Sequence, residues 1–355
     1  MEEKSRQFLN QLLTTPSPSG FEEPVQKIVR EYVSEFADKV ETDVLGNLIA
    51  SRNPDAKLRV LMTGHCDQIG LLVNNIDANG YIYVLPLGGW DPTNLIGQHV
   101  TIQTKNGPLP GVIGKKPIHL MDEEDRRRAV KFTDIWVDIG EKTKEAVEAL
   151  VDIGDPITVQ MTLHELRNNC LATSASDDRV GLWCAMEALR RIDGSKLKCA
   201  VFAASTVQEE LGLRGATGAV YSVNPDVAIA LDVTFASDCP TIDKNRQGDI
   251  ALGKGPAIGR GPNMNPVVVA RLVQTAKDHQ IPYQMDAHGT PPGTDARVMQ
   301  LSRGGTASGV VSIPNRYMHS PVEVISMDDL EAIADLMARF IEGLDENVSF
   351  IPMAK

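Results

Sequence analysis

The chain has 355 residues, of which 42% are hydrophobic and 23% charged, and its formal net charge is −12. This length exceeds what one small core needs and predicts a large domain accompanied by a smaller one. The acidic balance argues against a nucleic-acid groove or an anionic membrane surface, because phosphate groups recruit basic clusters.

The five cysteines are odd in number and form no CxxC pair. A disulfide framework is therefore not expected, and a reducing compartment fits better. The N-terminal stretch MEEKSRQFLNQLL is charged and amphipathic, and it lacks the apolar centre of a signal peptide. No apolar run approaches the ~18 residues of a membrane span. We predict a soluble protein of the cytoplasm.

The first part of the chain is predicted to contain two helices and three strands. Apolar residues recur at helical spacing over residues 3–13 and again over 22–36, and the sequence TTPSPSG between them breaks the helix. A strand pair is expected around the turn at residues 45–47. The apolar run at residues 58–62 predicts a buried parallel strand, which leads into His65-Cys66-Asp67.

The pattern of predicted secondary structure changes after residue 70. Short β-type runs are separated by Gly, Pro and Asn turns, and only residues 143–150 have a clear helical pattern. We expect an inserted β-rich domain over residues 70–162. The larger domain would then be discontinuous, formed by residues 1–69 and 163–355.

Strands and helices alternate again in the last part of the chain. Strands are predicted at residues 198–205, 226–233 and 306–312, and helices at 178–191, 216–221, 266–279 and 328–344, the last capped by Ser326. This alternation predicts an α/β fold with a mostly parallel or mixed sheet flanked by helices. The inserted segment is expected to form a small β-barrel-like domain.

Acidic and histidine residues collect at the strand ends and helix starts of the α/β part. They are His65, Asp67, Asp177, Asp178, Glu209, Glu210, Asp232 and His319. Ligands of parallel sheets sit at the carboxyl ends of the strands. Carboxylate and imidazole groups that converge there suit zinc, cobalt or manganese.

Each of these residues also has an ordinary structural explanation when it is taken alone. The adjacent Glu209 and Glu210 could belong to a solvated turn, although burying two like charges side by side costs free energy. Asp177 and Asp178 could simply favour the positive end of a helix. The occurrence of five such groups of candidate ligands in one order along the chain favours a metal site instead.

Five motifs together resemble the co-catalytic di-metal exopeptidases of the MH clan. More closely, they resemble the tetrahedral-assembly aminopeptidases, which are often labelled glutamyl aminopeptidase, deblocking aminopeptidase or endoglucanase. The resemblance covers essentially the whole chain, and Gly293-Thr294-Asp295-Ala296 is also similar to a family loop. The motifs are His65-Cys66-Asp67, Asp177-Asp178-Arg179-Val180-Gly181, Gln208-Glu209-Glu210-Leu211-Gly212, Leu231-Asp232 and Met318-His319-Ser320.

This resemblance implies a centre of two divalent metal ions per subunit. Zinc is the expected metal, with cobalt or manganese as alternatives. Asp177 would bridge both ions, while His65 and Asp232 complete one site and Glu210 and His319 the other.

The implied activity is the removal of N-terminal residues from short peptides by a water that the two metals share. Glu209 would act as the general base that takes the proton of this water. Asp67 would accept a hydrogen bond from the His65 ring and fix its tautomer. Asp178 stays the alternative to Asp177 as the bridge, since motif alignment alone separates them.

Three other functions fit parts of the pattern. A carboxypeptidase or amidohydrolase of the same clan would use the same ligand order on other substrates. A glycoside hydrolase would use Glu209 with a second carboxylate and would need no metal. A non-catalytic binding or assembly protein would not be expected to keep a competent metal ligand at every predicted ligand position.

The resemblance also implies dimers built through the inserted domain and a hollow twelve-subunit tetrahedron. A preference for acidic substrate side chains would need a cationic group near the metals. Arg260, Arg297 and Arg316 are candidates for that group, but loop arginines are more often solvated or paired. The sequence therefore predicts no particular side-chain preference.

Overall fold

Strands and helices alternate along most of the chain, and the computed structural model describes residues 1–353. The strands are β1 (Lys39–Thr42), β2 (Leu48–Arg52), β3 (Arg59–His65), β4 (Gly70–Ile76), β5 (Ile82–Leu87), β6 (His99–Thr104), β7 (Gly107–Lys115), β8 (Ile135–Asp138), β9 (Pro156–Val159), β10 (Leu163–Glu165), β11 (Cys170–Thr173), β12 (Ala200–Thr206), β13 (Val227–Phe235), β14 (Ala257–Arg260), β15 (Gln284–Ala287), β16 (Ala307–Asn315) and β17 (Glu323–Ser326). The α-helices are α1 (Glu3–Thr14), α2 (Glu23–Val33), α3 (Glu123–Arg127), α4 (Lys144–Glu148), α5 (Ser176–Arg191), α6 (Arg214–Val223), α7 (Lys244–Gln247), α8 (Pro266–Asp278), α9 (Ala296–Met299) and α10 (Met327–Glu342).

The largest sheet has eight strands in the order β1-β2-β12-β3-β13-β16-β14-β15. Its centre is parallel, because β3 pairs with β12 and β13, and β13 pairs with β16. Antiparallel pairs lie towards both edges, where β2 joins β12 and β14 joins β16. The predicted mixed sheet is confirmed. Its parallel centre brings the carboxyl ends of four neighbouring strands to one edge.

Helices cover this sheet and complete its core. Helix α5 packs against β3, β12 and β13, while α1 and α10 pack on α5. Every residue of β12 is buried, as expected for a parallel strand with both faces covered. Ser326 caps α10 by accepting a hydrogen bond from the backbone N–H of Asp328, as predicted. None of the helices described is long and apolar enough to cross a lipid bilayer.

Residues 70–159 contain a closed barrel of six strands in the order β4-β5-β8-β7-β6-β9. The barrel encloses its own apolar cluster, separate from that of the α/β part, with Ile82, Ile102, Val137 and Ile157 among its buried members. The expected β-barrel-like insertion in an α/β fold is confirmed. Alternating short strands with Gly and Pro turns therefore carried enough information to predict a closed β structure.

Several elements differ from the sequence prediction. Strand β3 continues to His65, because its polar final residues still pair with the backbone of β12. Strand β13 likewise continues beyond its predicted end at Val233 to Phe235, beside β16. A small sheet of β10, β11 and β17 was not predicted, and its three strands pair antiparallel across long sequence separations. Strands this short give little periodic signal.

Candidate metal centre

The carboxyl ends of β3, β12, β13 and β16 place most of the predicted site residues at one edge of the main sheet. His65 is the last residue of β3 and pairs with Thr206 at the end of β12. Asp232 lies in β13 opposite Ser312 of β16. Glu209 and Glu210 follow β12, and His319 follows β16. The edge therefore gathers side chains from four separate parts of the chain.

The start of α5 reaches this edge because glycines allow close packing. A side chain at Gly64 of β3 would collide with the backbone of Leu182, and one at Gly181 would collide with the carboxylate of Asp178. Asp177 and Asp178 have non-helical backbone angles, and the peptide bond between them is cis. Both aspartates are buried at the point where the helix meets the strands.

The carboxylate of Asp177 lies between the two histidines. Its Oδ1 is 3.1 Å from Nε2 of His65, and its Oδ2 is 3.2 Å from Nε2 of His319. The same nitrogen of His319 is 3.4 Å from Oε1 of Glu210. One carboxylate thus faces two imidazoles with different oxygens, a geometry suited to a ligand shared by two cations.

Two overlapping groups of ligand atoms occur at this edge. One atom each from His65, Asp177 and Glu210 lies within 4.8 Å of the others, and the same holds for His65, Asp178 and Asp232. The Asp178 carboxylate accepts backbone N–H groups from His65 and Gly181, each at 3.1 Å. Its oxygens are therefore partly used to hold β3 and α5 together.

Asp67 organises the backbone that carries the paired glutamates. Its carboxylate accepts the N–H groups of Glu209 at 3.0 Å and Glu210 at 3.2 Å, and it also accepts the Ser19 hydroxyl at 2.6 Å. The Nδ1 atom of His65 is 3.1 Å from the backbone carbonyl of Asp67 and 3.4 Å from its carboxylate. The nearer partner of the ring is thus the carbonyl oxygen, whereas the sequence analysis expected the carboxylate.

Glu209 is buried beside the ligands without making a short contact to either histidine. Its Oε2 lies 3.8 Å from Nε2 of His65. Burial, together with the neighbouring charges of Asp232 and Asp295, raises the pKa of Glu209 to about 10. A positive charge bound nearby would favour the ionised form.

The centre contains more buried carboxylates than the basic groups in contact with them can neutralise. Burial raises the pKa of Asp178 and Asp232 well above the ordinary value, and it also raises that of Glu210. Burial opposes ionisation of Asp177 as well, but hydrogen bonds with His319 and His65 lower its pKa. Oxygen-rich sites of this kind, with imidazole nitrogens on either side, fit divalent transition metals.

Some residues that shape the site were missed in the sequence analysis. Glu323 of β17 is buried, and its two oxygens accept the backbone N–H groups of Asp177 at 3.0 Å and His319 at 2.9 Å. Its position four residues after His319 was the only available signal. Glu22 is also buried and accepts the N–H of Gln208, directly before the paired glutamates, at 3.0 Å.

The arginines considered for substrate recognition have different surroundings. Arg316 forms a two-pronged ion pair with Asp238, at 2.7 and 2.6 Å. Arg260 and Arg297 are exposed. The charge of Arg316 is therefore already compensated within the chain.

Comparisons with known proteins agree with this geometry. A model of the M42 glutamyl aminopeptidase family matches residues 46–336. The lysyl aminopeptidase of Pyrococcus furiosus is 37% identical over 343 residues, covering 95% of this chain and 97% of that protein. The crystal structure of a TET aminopeptidase from a marine sediment archaeon of the Thaumarchaeota has a TM-score of 0.92 and 35% identity, covering 97% of both chains.

A second structural relative is the TET1 peptidase of Pyrococcus horikoshii, which can assemble into a tetrahedron or a large octahedral shell. It has a TM-score of 0.86 and 31% identity, covering 96% of this chain and 100% of that one. The sequence match, the shared architecture and the convergent ligands all agree. The chain belongs to the M42 glutamyl aminopeptidase family and is a metal-dependent aminopeptidase.

Proposed function

We propose that the centre holds two divalent metal ions bridged by Asp177. His65 and Asp232 would bind one ion, and Glu210 and His319 the other. The observation that supports this assignment most strongly is the position of the Asp177 carboxylate, with one oxygen towards each imidazole. Asp178 is the weaker candidate for the bridge, because its oxygens already accept two backbone N–H groups.

Glu209 is the proposed general base. Bound metal ions would supply Lewis-acid polarisation of the scissile carbonyl and a more acidic water. Glu209 then takes a proton from the attacking water and returns it to the leaving amine. Its buried position beside the ligands keeps this proton away from bulk solvent.

Asp67 and Glu323 are proposed to hold the reactive groups in place. Asp67 fixes the backbone of Glu209 and Glu210, and Glu323 fixes that of Asp177 and His319. Each of these two carboxylates accepts the main-chain N–H groups of two functional residues, so a small change in either would move two functional side chains together. Such supporting contacts commonly tune metal affinity.

Zinc is the proposed native metal, with cobalt or manganese as alternatives, because mixed carboxylate and imidazole ligands suit all three. Short peptides with a free amino terminus are the proposed substrates. The family description names glutamyl activity, whereas the Pyrococcus furiosus relative is a lysyl aminopeptidase, so members of the family are named for different side-chain preferences.

We further propose that the chain forms homo-oligomers, with residues 70–162 as the dimerisation domain and a tetrahedral dodecamer as the full assembly. The assemblies of the Pyrococcus horikoshii relative support this proposal. A cytoplasmic location is proposed as well. The five cysteines are free in the part of the chain that the structure describes, as is usual in reducing compartments.

Chelation and reconstitution test the function directly. The protein is treated exhaustively with a chelator, and zinc, cobalt or manganese is then added back while cleavage of a panel of aminoacyl anilides is followed. Matched anilides with a blocked amino group serve as controls. We expect activity to disappear on chelation and to return with metal, on free-amine substrates only. Activity that survives complete metal removal would contradict the proposal.

A further inference from the structure

One supporting contact of the metal centre comes from the inserted barrel. The residues Gly88 and Gly89 directly follow β5 and form what we call the diglycine turn. The carbonyl oxygen of Gly89 is 2.8 Å from Nδ1 of His319, a residue 230 positions later in the chain. A side chain proposed to bind metal in the α/β part therefore has its outer hydrogen-bond partner in the barrel.

This contact determines which ring nitrogen of His319 faces the centre. A carbonyl oxygen can only accept, so Nδ1 of His319 must donate the hydrogen bond. The other nitrogen, Nε2, then lies 3.2 Å from Asp177 and 3.4 Å from Glu210, where a metal ligand is needed. Outer partners of this kind fix both the tautomer and the ring orientation of ligating histidines.

A side chain at either glycine of the diglycine turn would crowd the proposed ligands. A Cβ at Gly89 would lie 3.0 Å from Nδ1 and 3.3 Å from Cε1 of His319. Gly88 has a φ of +78°, and a Cβ there would lie 2.5 Å from Cγ2 of Ile69 and 3.1 Å from Oε2 of Glu210. The turn is therefore packed against both side chains proposed for one half of the centre.

The other half of the centre is built differently. The Nδ1 atom of His65 has the carbonyl of Asp67 at 3.1 Å, only two residues further along the same segment. That contact stays local to the end of β3. Only the outer contact of His319, of the two histidines, crosses between the barrel and the α/β part.

The diglycine turn is fixed firmly to the barrel. Trp90 follows it and is buried in the apolar cluster of the barrel. Asp91 then caps the 3₁₀ helix Pro92–Leu95 by accepting the N–H of Thr93 at 2.8 Å. A displacement of the barrel would consequently move the carbonyl of Gly89 away from His319.

We propose that the diglycine turn is a positioning element of the metal centre, through which the docking of the barrel controls metal affinity at the Glu210–His319 half. This inference rests on the proposed two-metal centre. It predicts that the two halves respond differently to a change in the diglycine turn, although they share Asp177.

Titration of the metal-free full-length protein with Co²⁺ tests this inference. Binding is followed by calorimetry and by the visible absorption of bound cobalt, so the result does not depend on activity. We expect two binding events in the wild type. In Gly89→Ala, we expect one event to stay within about twofold of the wild-type affinity and the other to weaken by roughly tenfold or more.

Two glycine variants serve as matched controls. A Cβ at Gly111 of β7 would lie 2.9 Å from Cγ1 of Val137, so Gly111→Ala disturbs barrel packing without touching His319. A Cβ at Gly304 would meet no atom within 4 Å, so Gly304→Ala reports the effect of the substitution itself. Both variants should keep two cobalt-binding events of wild-type affinity.

A double variant assigns the effect to the His319 ring. His319→Ala alone should abolish the cobalt-binding event that Gly89→Ala weakens. Adding Gly89→Ala to His319→Ala should then cause no further loss of cobalt affinity. If Gly89→Ala alone fails to fold, removal of the ring should restore folding, because the atoms that the new Cβ would meet are gone. A double variant that still fails to fold would overturn the inference.

The remaining outcomes distinguish a failure of the proposed two-metal function from a failure of the proposed role of the diglycine turn. Wild-type protein that binds fewer than two cobalt ions would contradict the proposed two-metal function itself. Wild-type protein that binds two ions, together with Gly89→Ala that binds both with unchanged affinity, would leave the function intact and overturn the role of the diglycine turn.

Discussion

Buried acidic side chains in this molecule are neutralised in two different ways. Glu187 in α5 is fully buried, and its carboxylate accepts hydrogen bonds from Tyr32, Arg190 and Arg191. Burial alone would raise the pKa of Glu187, but Arg190 and the other partners outweigh burial and lower it. The chain itself supplies the positive charge that this carboxylate requires.

The metal centre lacks that internal compensation. Burial raises the pKa of Glu209 to about 10, and Asp178 and Asp232 are shifted well upward for the same reason. The basic groups that contact the cluster are the rings of His65 and His319. The fold thus pairs one buried carboxylate with arginines, whereas the proposed metal ions would balance the charge of the centre.

The largest expected effect comes from removing the proposed base. Glu209→Gln keeps the shape of the side chain but cannot accept a proton, so kcat should fall by roughly 10³-fold while the metal content stays at the wild-type level. Steady-state kinetics and elemental analysis of the same sample measure both quantities. Near-wild-type turnover in a metal-loaded variant would show that another group is the base.

Substitutions of the proposed metal ligands should distinguish the two halves of the centre. Asp232→Asn is expected to release the ion held with His65, and His319→Gln the ion held with Glu210, each with a loss of activity of roughly 10²-fold. Metal content per subunit after gel filtration is the measurement. If both variants retained the full metal content of the wild type, the assignment of ligands to halves would be wrong.

In contrast, replacing Glu187 should lower the stability of the protein and leave its activity unchanged. Glu187→Gln removes the buried carboxylate that Arg190 and Arg191 share, although each arginine keeps an outer partner, Glu2 or Glu331. The substitution should lower the free energy of unfolding by about 2 kcal/mol. The activity of the folded protein should not change, because Glu187 touches none of the proposed ligands through its hydrogen bonds. Glu148→Gln, which breaks an exposed pair with Lys144, is the matched control and should change stability by less than about 0.5 kcal/mol.

The smallest effect is the pH dependence of this stability difference. The pKa of Glu187 is lowered from 4.5 in the folded protein, so its stabilising contribution is complete above the unfolded value and is lost as the pH falls through the folded value. The difference in free energy of unfolding between wild type and Glu187→Gln should therefore be constant near neutral pH and should decrease below pH 4.5. Urea unfolding of metal-free protein at several pH values measures this difference. A difference that widened in acid would contradict the pairing.

Much of the fold could be predicted because the relevant signals are local. The continuous apolar run of β12 predicts a buried parallel strand, and Ser326 predicts the start of α10. The order of the proposed ligands could also be read from the sequence, because strand ends meet at one edge of a parallel sheet.

The supporting contacts of the centre could not be predicted in the same way. Glu323 accepts the N–H of Asp177 across 146 positions, and the carbonyl of Gly89 reaches His319 across 230. Contacts over such distances depend on how the barrel and the small sheet dock, and no periodic pattern encodes docking. The role of the Asp67 carbonyl was missed for a related reason, since backbone atoms carry no side-chain signal in the sequence.

The most direct test of the two-metal account is anomalous diffraction from crystals of the zinc-loaded protein. We predict two zinc peaks in each subunit, on either side of the Asp177 carboxylate, one next to His65 and Asp232 and the other next to Glu210 and His319. A single peak, or two peaks bridged by Asp178 with Asp177 unligated, would contradict the account.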